Sequence, residues 1–410
     1  MLLHMKQGIK YTIKKFGENR MDLIVRDCIF GDIYLNYSEG QIVNSDYFQR
    51  QRRIKQLDFT ELIYPDATHN RLSHALGVCE AVTRMFDVVQ RKTRYFDDSH
   101  RELIRAIALV HDLGHTPKSH ASESLSTITH EERLEGILKY ERKNIMLKAE
   151  YPVPSWSVIN QVYNGEGTQY LEDKKYFVLR SFMDGFIDAD KIDYLLRDAT
   201  FCGISHGQYD KDGLINSLTL LEDDKGVLQL GIEESGLHSL ESFILARYYM
   251  YMMVYFHPTK RLYDRLFTDF LRSHLKGGVY PESPKAFLKY DDSTFEQKFF
   301  ASEYGKSKYE LVCNMDYNQE IKDAIDSKLS GCLICDVPRK VVFRKKGSSE
   351  NLYMKDSFWN RVIPVVDASP ILKSIEYSEI HKLRYYAPAE VADSVKKEII
   401  SILRKENLVW

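Results

Sequence analysis

The sequence predicts a mainly α fold with a smaller mixed α/β lobe at its C-terminal end. Three observations predict it. Apolar residues recur at helical spacing over Leu72–Val89, Leu103–Val110, Phe186–Leu196 and Leu237–Phe270. Gly277-Gly278 and the stretch from Pro281 to Pro284 interrupt that pattern. Beyond the interruption, Lys340–Phe343 and Arg361–Val366 read as strands. The expected division is residues 1–22 as a tail, 23–275 as the helical domain and 276–410 as the mixed lobe.

Composition narrows the class. A chain of 410 residues, 44% hydrophobic and 28% charged, has enough apolar material for a large core. A formal net charge of -2 gives no global attraction to nucleic acid or to an acidic membrane. No apolar run approaches the roughly 20 residues of a membrane span. The N-terminal apolar stretch is too short for a signal peptide. The six cysteines are scattered, as expected for reduced thiols and a cytoplasmic location. Cys332 and Cys335 form a lone C-x-x-C with no second pair, and read as part of an apolar segment.

The elements follow in order. Asp27–Leu35 alternates apolar and polar residues and predicts a short hairpin. Ser45-Asp46 can cap a basic helix over Tyr47–Leu57 carrying Arg50, Arg52, Arg53 and Lys55. Such a face is solvated in a lone helix; guanidinium forks also match phosphate oxygens. Leu72–Val89 and Leu103–Val110 are buried helices, the second ending near Pro117. Thr129 and Glu132 form a capping box at the next helix. Residues 145–180, with Pro152, Pro154, Gly165 and Gly167, read as a looped insertion. Phe186–Leu196 is a helix with Asp190, Lys191, Tyr194 and Asp198 on one face, leaving Asp188 and Asp193 to structural roles. Leu237–Phe270 is one long helix or two, with Arg247, Tyr251 and Tyr255 in a stripe that ordinarily means core. A turn is expected at Gly347-Ser348-Ser349, and a last helix over Ala389–Arg404 with Pro388 near its first turn.

Seven of the 13 histidines fall between His69 and His130. His111-Asp112, at the end of a buried helix, offers one nitrogen and one oxygen to a cation, a mixture suited to hydrolysis. His74 on the preceding helix supplies a third ligand, and Asp190 is the best candidate for a fourth. Each residue alone is an ordinary cap or surface group. As a set they satisfy one another's need for partners. Arg71, three residues before His74, reads as a phosphate contact, as does Lys191 beside Asp190. His115 and His120 flank Lys118 after the His-Asp pair and suggest a phosphate pocket.

The order His…His-Asp…Asp, with Phe48–Leu57, His69–His74, His111–His120 and Asp188–Asp198 around it, resembles the HD-domain metal-dependent phosphohydrolases. Among them it is most similar to the deoxynucleoside triphosphate (dNTP) triphosphohydrolases, over about residues 23–262. The resemblance implies an all-helical HD-domain core and one divalent ion (Mn, Fe, Mg, Ni or Zn) on His74, His111, Asp112 and Asp190. It implies a dNTP substrate, with Gln56 and Leu57 lining the sugar, Tyr255 beneath it, and Arg247 on the triphosphate. Tyr194, Asp198 and Tyr251 join that substrate set. It implies His120 as general acid with His130 and Glu131 assisting, and His115 beside Arg71, Lys191 and Arg247 against developing charge. Gln49 and Arg52 would belong to a nucleotide-activator site in a homodimer or homotetramer. Asn44, Arg26 and His257-Pro258 depart from the family pattern there, where an aspartate, an asparagine and a His-Lys pair are usual. Two other readings stand beside this one: an HD-domain nucleotidase or phosphodiesterase, and a catalytically silent nucleotide- or nucleic-acid-binding protein.

Overall fold

Asn70 accepts the backbone N–H of Ser73 and so starts the Arg71–Thr93 helix, the longest of the described helices. Arg94, left-handed at φ 52°, stops it. The structure is a computed structural model that describes residues 23–145, 175–223, 225–329, 331, 333–343 and 352–405. Two helices pack on the first: Asp98–Val110, capped by Asp97, and Ala189–Cys202, capped by Asp188. Val78, Val82 and Met85, Ile104 and Ile107, and Ile192 and Leu195 are buried in the core they share. The third contact is tight at Gly77. A Cβ there would lie 1.8 Å from Asp193 Oδ1 and 2.3 Å from Arg197 Nη2. Gly77→Ala is therefore expected to destabilise the chain by about 1–3 kcal/mol through overpacking. A thermal midpoint followed by circular dichroism should fall; an unchanged midpoint contradicts the close approach.

β1 (Leu23–Asp27) and β2 (Gly31–Leu35) pair antiparallel, so the expected hairpin exists and begins four residues earlier. Arg197 ties it down through an ion pair to Asp27 at 2.8 Å. The basic helix is shorter than its spacing predicts. It spans Asp46–Arg50, tightens to a 3-10 turn at Gln51–Arg53, and becomes extended at Ile54. The cause is tertiary. Arg50 is fully buried and donates to the carbonyls of Tyr290 (2.7 Å) and His115 (3.0 Å). Arg53 pairs with Asp291, and Lys55 with Glu61 and Glu296. These bonds pull the segment onto the residue 290–296 region, and a short helix has little stability of its own to resist.

Thr129 and Glu132 make the expected capping box at the start of His130–Ile145. The Asp98–Val110 helix ends well before Pro117. Ala189–Cys202 begins later and runs further than expected, because Asp188 serves as its cap and Gly203, at φ 66°, ends it. Leu237–Phe270 is two helices, Leu237–Met250 and Pro258–His274, joined through a π turn at Tyr251–Tyr255. Of the expected insertion, 175–180 is helical, and 146–174 lies outside the described residues, as do the 1–22 tail and the 347–349 turn.

The C-terminal part is mixed α/β. β10 (Glu379–Pro388) pairs antiparallel with β5 (Tyr309–Asp316), β6 (Ile334–Asp336) and β7 (Arg339–Val341). Val312, Ile325, Leu383 and Ile399 form a small core of their own against that sheet. The last helix spans Ala392–Lys405, Pro388 ending β10 instead of opening the helix. A second sheet runs β3 (Leu218–Glu222), β4 (Leu228–Glu233), β8 (Tyr353–Asp356), β9 (Arg361–Pro364), with β4 parallel to β8. Strands from both sides of residue 276 thus share one sheet. No described helix is long and apolar enough to cross a membrane.

Candidate metal centre and active site

The three packed helices each bring one donor to the same point. His74 lies in the first turn of Arg71–Thr93, His111 caps the C-terminus of Asp98–Val110, and Asp190 lies in the first turn of Ala189–Cys202. Their donor atoms lie within 4.8 Å of one another. His74 Nε2 is 3.0 Å and His111 Nε2 is 3.9 Å from Asp190 Oδ1. Neighbouring ligands of an octahedral ion with bonds of about 2.1 Å sit about 3.0 Å apart. The rings are held in matching tautomers. His111 Nδ1 donates to Ala108 O at 2.8 Å, and His74 Nδ1 donates to Asp193 Oδ2 at 2.7 Å. In that tautomer each Nε2 presents its lone pair. Two imidazoles and a carboxylate fit a divalent transition-metal ion.

Asp112 borders this trio. Its Oδ1 is 3.3 Å from His111 Nε2 and its Oδ2 is 3.7 Å from His74 Nε2. Arg71 bonds the same carboxylate and also donates to Ser119 Oγ at 2.7 Å. Gln51 Nε2 donates to Asp112 O at 2.7 Å, which fixes the backbone. Burial opposes ionisation of Asp112, but Arg71, His111 and His115 hold it well below the usual carboxylate range.

The charges around His74 make a testable statement. Burial pulls its pKa down, yet the bonds and charges of Asp190 and Asp193 outweigh that and push it up to about 10. Asp190, against the same opposing burial, falls to about 2. A raised folded-state value means the His74 proton stabilises the metal-free chain fully below about 6.5. That contribution is lost as pH rises through about 10. A bound cation takes the place of this proton. Metal affinity is therefore expected to rise between pH 6 and 9, with proton release seen by calorimetry at pH 7 in buffers of different ionisation enthalpy. Affinity flat across that range contradicts the arrangement.

The flanking residues fall into two groups. His115 stacks on His130 at 4.6 Å between ring centroids. Gly114 permits it: a Cβ there would meet His130 O at 2.0 Å. His130 sits between Glu123 (2.7 Å) and Glu131 (3.0 Å). Burial lowers its pKa, but the two carboxylates raise it overall. His120 lies in the short Ser119–Ala121 turn, and its side chain is outside the described residues. Lys118 does not join a phosphate pocket. It is fully buried, 3.2 Å from Glu296 and over the Phe59 ring at 4.5 Å.

The second group is a polar and aromatic wall. Tyr255 donates to Asp198 Oδ2 at 2.8 Å, and His69 Nε2 bonds Asp198 Oδ1 at 2.7 Å. His69 stacks on Phe201 at 4.6 Å. Tyr251 and Tyr194 meet Tyr255 edge-on at 4.9 and 6.2 Å. Four-residue spacing alone would stack Tyr251 on Tyr255 along one helix face; the π turn widens the helix there, as π turns at functional sites often do. Arg247 is 9% exposed, its guanidinium 5.9 Å from the Tyr251 ring centre and its Nε without a partner among the described residues. Lys191 donates to Gly185 O at 2.9 Å and pairs with Asp188, not with Asp190. Gln56 is anchored by its backbone to His69 O at 3.0 Å, with Oε1 buried and unpartnered among the described residues. Leu57 is buried beside it. Gln49 donates to Val43 O and accepts from Arg52, so these two hold each other on the Asp46–Arg50 segment.

Three participants escape a reading by motif. Asp193 orients His74, His69 orients Asp198, and Gly77 makes room for both Asp193 and Arg197. Asp193 carried a signal, since it lies three residues after Asp190 and four before Arg197 on one helix.

Comparison with known proteins places this geometry. A family model for the HD domain matches residues 71–164, and one for the HD associated region matches 209–332. The uncharacterized protein YwfO of Bacillus subtilis is 36% identical over 297 residues, covering 70% of this chain and 64% of YwfO. The deoxynucleoside triphosphate triphosphohydrolase SAMHD1 homolog of Dictyostelium discoideum is 24% identical over 294 residues, covering 68% of this chain and 55% of that protein. The chain thus spans under two thirds of the length of these two curated relatives. A crystal structure of a hypothetical protein from Aquifex aeolicus superposes with a TM-score of 0.77 at 25% identity, covering 92% of this chain and all of that one. His74 and His111 lie inside the region that matches the HD domain, and Asp190 lies between the two matched regions, so the chain carries an HD domain followed by an HD associated region.

Proposed function

We propose that the chain hydrolyses deoxynucleoside triphosphates to a deoxynucleoside and inorganic triphosphate. The observation that carries this is the convergence of His74, His111 and Asp190 beside Asp112, with Arg247 and the Tyr255–Asp198 pair in the polar and aromatic wall nearby. Similarity to a relative named as a deoxynucleoside triphosphate triphosphohydrolase supports it. A divalent ion held by these ligands would supply Lewis acidity, polarising a phosphoryl oxygen and making water more acidic. Water attacks the α-phosphorus, the bond from phosphorus to the 5′ oxygen breaks, and that oxygen takes a proton. His130 lies against Glu123 and Glu131, carboxylates that favour its protonated form and suit it to assist proton movement near the site. His120 remains the proposed donor, with His115 stacked on His130 to fix its position. Lys191 and Arg247 bind the triphosphate, and Arg71 acts chiefly by orienting Asp112. Tyr255, Asp198, Gln56 and Leu57 close around the sugar, with Tyr194 and Tyr251 backing Tyr255.

Gln49 and Arg52 stay the proposed activator contacts. Arg26 is paired with Asp32, and His257 caps the Pro258 helix, so neither replaces the family's usual residues at such a site. The test is incubation with each dNTP, singly and in mixtures, with Mn, Fe, Mg, Ni or Zn. Triphosphate should appear in step with deoxynucleoside; orthophosphate or pyrophosphate as the product contradicts the proposal. Sedimentation with and without nucleotide tests the proposed dimer or tetramer.

A further inference from the structure

A cavity of about 570 Å³ is lined by Lys191, the residue after Asp190, and by Arg247, and by no other residue of the proposed substrate site. Four parts of the chain build it: the Lys175–Arg180 helix, the 184–187 loop, the β3–β4 hairpin, and Phe343 with Leu352. Lys191 and Arg247 form the wall it shares with the proposed phosphate site. Arg180 and Lys225 add two more cations, against the carboxylates of Asp184 and Asp223. Arg180 Nη2 is bonded to Asp184 at 2.7 Å, but its Nε, like that of Arg247, is buried with no partner among the described residues. Phe186 and Phe343 meet edge-on at 5.6 Å and give the cavity an aromatic side. A volume in the range of about 300–1,000 Å³ suits a small organic ligand. Cations with unused donors suit phosphate, and aromatic edges suit a flat ring.

We propose that this cavity receives a group esterified to the far end of the substrate's polyphosphate. The chain then accepts deoxynucleosides joined through a polyphosphate to a second nucleoside, as well as free dNTPs. This rests on the reaction proposed above. Water still attacks the phosphorus nearest the deoxyribose, the bond to the 5′ oxygen breaks, and that oxygen takes the proton. The products are a deoxynucleoside and a polyphosphate still carrying the second nucleoside. Lys191 and Arg247 grip the phosphates from between the two chambers. Arg180 and Lys225 meet the outer phosphates, and the second base lies along Phe186 and Phe343.

The test uses deoxyadenosine and adenosine joined by four phosphates, beside plain dATP, with the metal-loaded full chain. Gln229 lines the cavity, is half-buried, and is not part of the catalytic machinery. Gln229→Trp should lower kcat/KM for the joined substrate about tenfold or more and leave dATP turnover unchanged. Lys225→Glu, on the hairpin, should act in the same direction and is the second variant if the first does not fold. Hydrolysis of dATP with no release of deoxyadenosine from the joined compound overturns the inference. So does an equal effect of the variants on both substrates. If dATP itself is inert, the proposed function fails first. Calorimetric binding of the joined compound then decides the cavity: equal affinity in the wild type and in both variants overturns it.

Discussion

Asp190→Ala is expected to abolish metal retention and with it hydrolysis, lowering turnover by about 10³-fold or more, a loss of about 4 kcal/mol of transition-state stabilisation. Asp190 is the sole carboxylate in the tight trio with His74 and His111. Without it the two rings remain beside Asp112, a carboxylate already engaged by Arg71, and that set holds a divalent ion poorly. The fold should survive, because the Asp190 side chain is 37% exposed and the helix is capped by Asp188 instead. Without metal the variant's thermal midpoint should fall modestly, because His74 loses one of the two carboxylates that hold its proton, and the upward shift that metal gives the wild type should be lost. Normal turnover by the purified variant contradicts the site. The equivalent change at Asp112 should also abolish turnover, but by a different route: it frees Arg71, a buried cation that then lacks its partner, so stability should fall as well.

Asp193→Asn is expected to weaken the site without removing any of its ligands. Asp193 receives the Nδ1 proton of His74 and the guanidinium of Arg197, both buried. Burial disfavours its charge, and Arg197 with His74 holds its pKa low regardless. An asparagine amide can present its NH₂ to His74 and favour the wrong tautomer, turning the Nε2 lone pair away from the ion. Loss of such an outer partner costs about 10- to 100-fold in metal affinity or activity. Arg197 keeps Asp27 as a partner at 2.8 Å, so the chain should still fold. Metal titration of the variant beside the wild type reads the effect, and equal affinity contradicts the orienting role.

The helical core and the residues of the candidate metal trio were legible because they rest on local rules. Helical periodicity places Arg71–Thr93, Asp98–Val110 and Ala189–Cys202, and the His-Asp spacing selects the residues at their ends. What was not legible depends on distant partners. The basic segment at Arg50–Lys55 looks like a phosphate reader by composition, yet Arg50, Arg53 and Lys55 bond to Tyr290, Asp291 and Glu296, some 240 residues away. Lys118 looks like a pocket residue between His115 and His120, but its left-handed backbone at φ 52° and its bond to Glu296 turn it into the interior. The π turn at Tyr251–Tyr255 has the spacing of an ordinary helix in the sequence, and Tyr251 and Tyr255 meet edge-on within it. The β4–β8 pairing joins segments more than 100 residues apart, which no local pattern encodes.

The central claim is that one cation binds between His74, His111 and Asp190. Crystals grown with manganese, measured at its absorption edge, test it most directly. The expected result is a single anomalous peak about 2.0–2.3 Å from His74 Nε2, His111 Nε2 and an Asp190 oxygen, with an Asp112 oxygen drawn in as the fourth protein ligand. Full manganese occupancy elsewhere, with no peak between those three side chains, contradicts it.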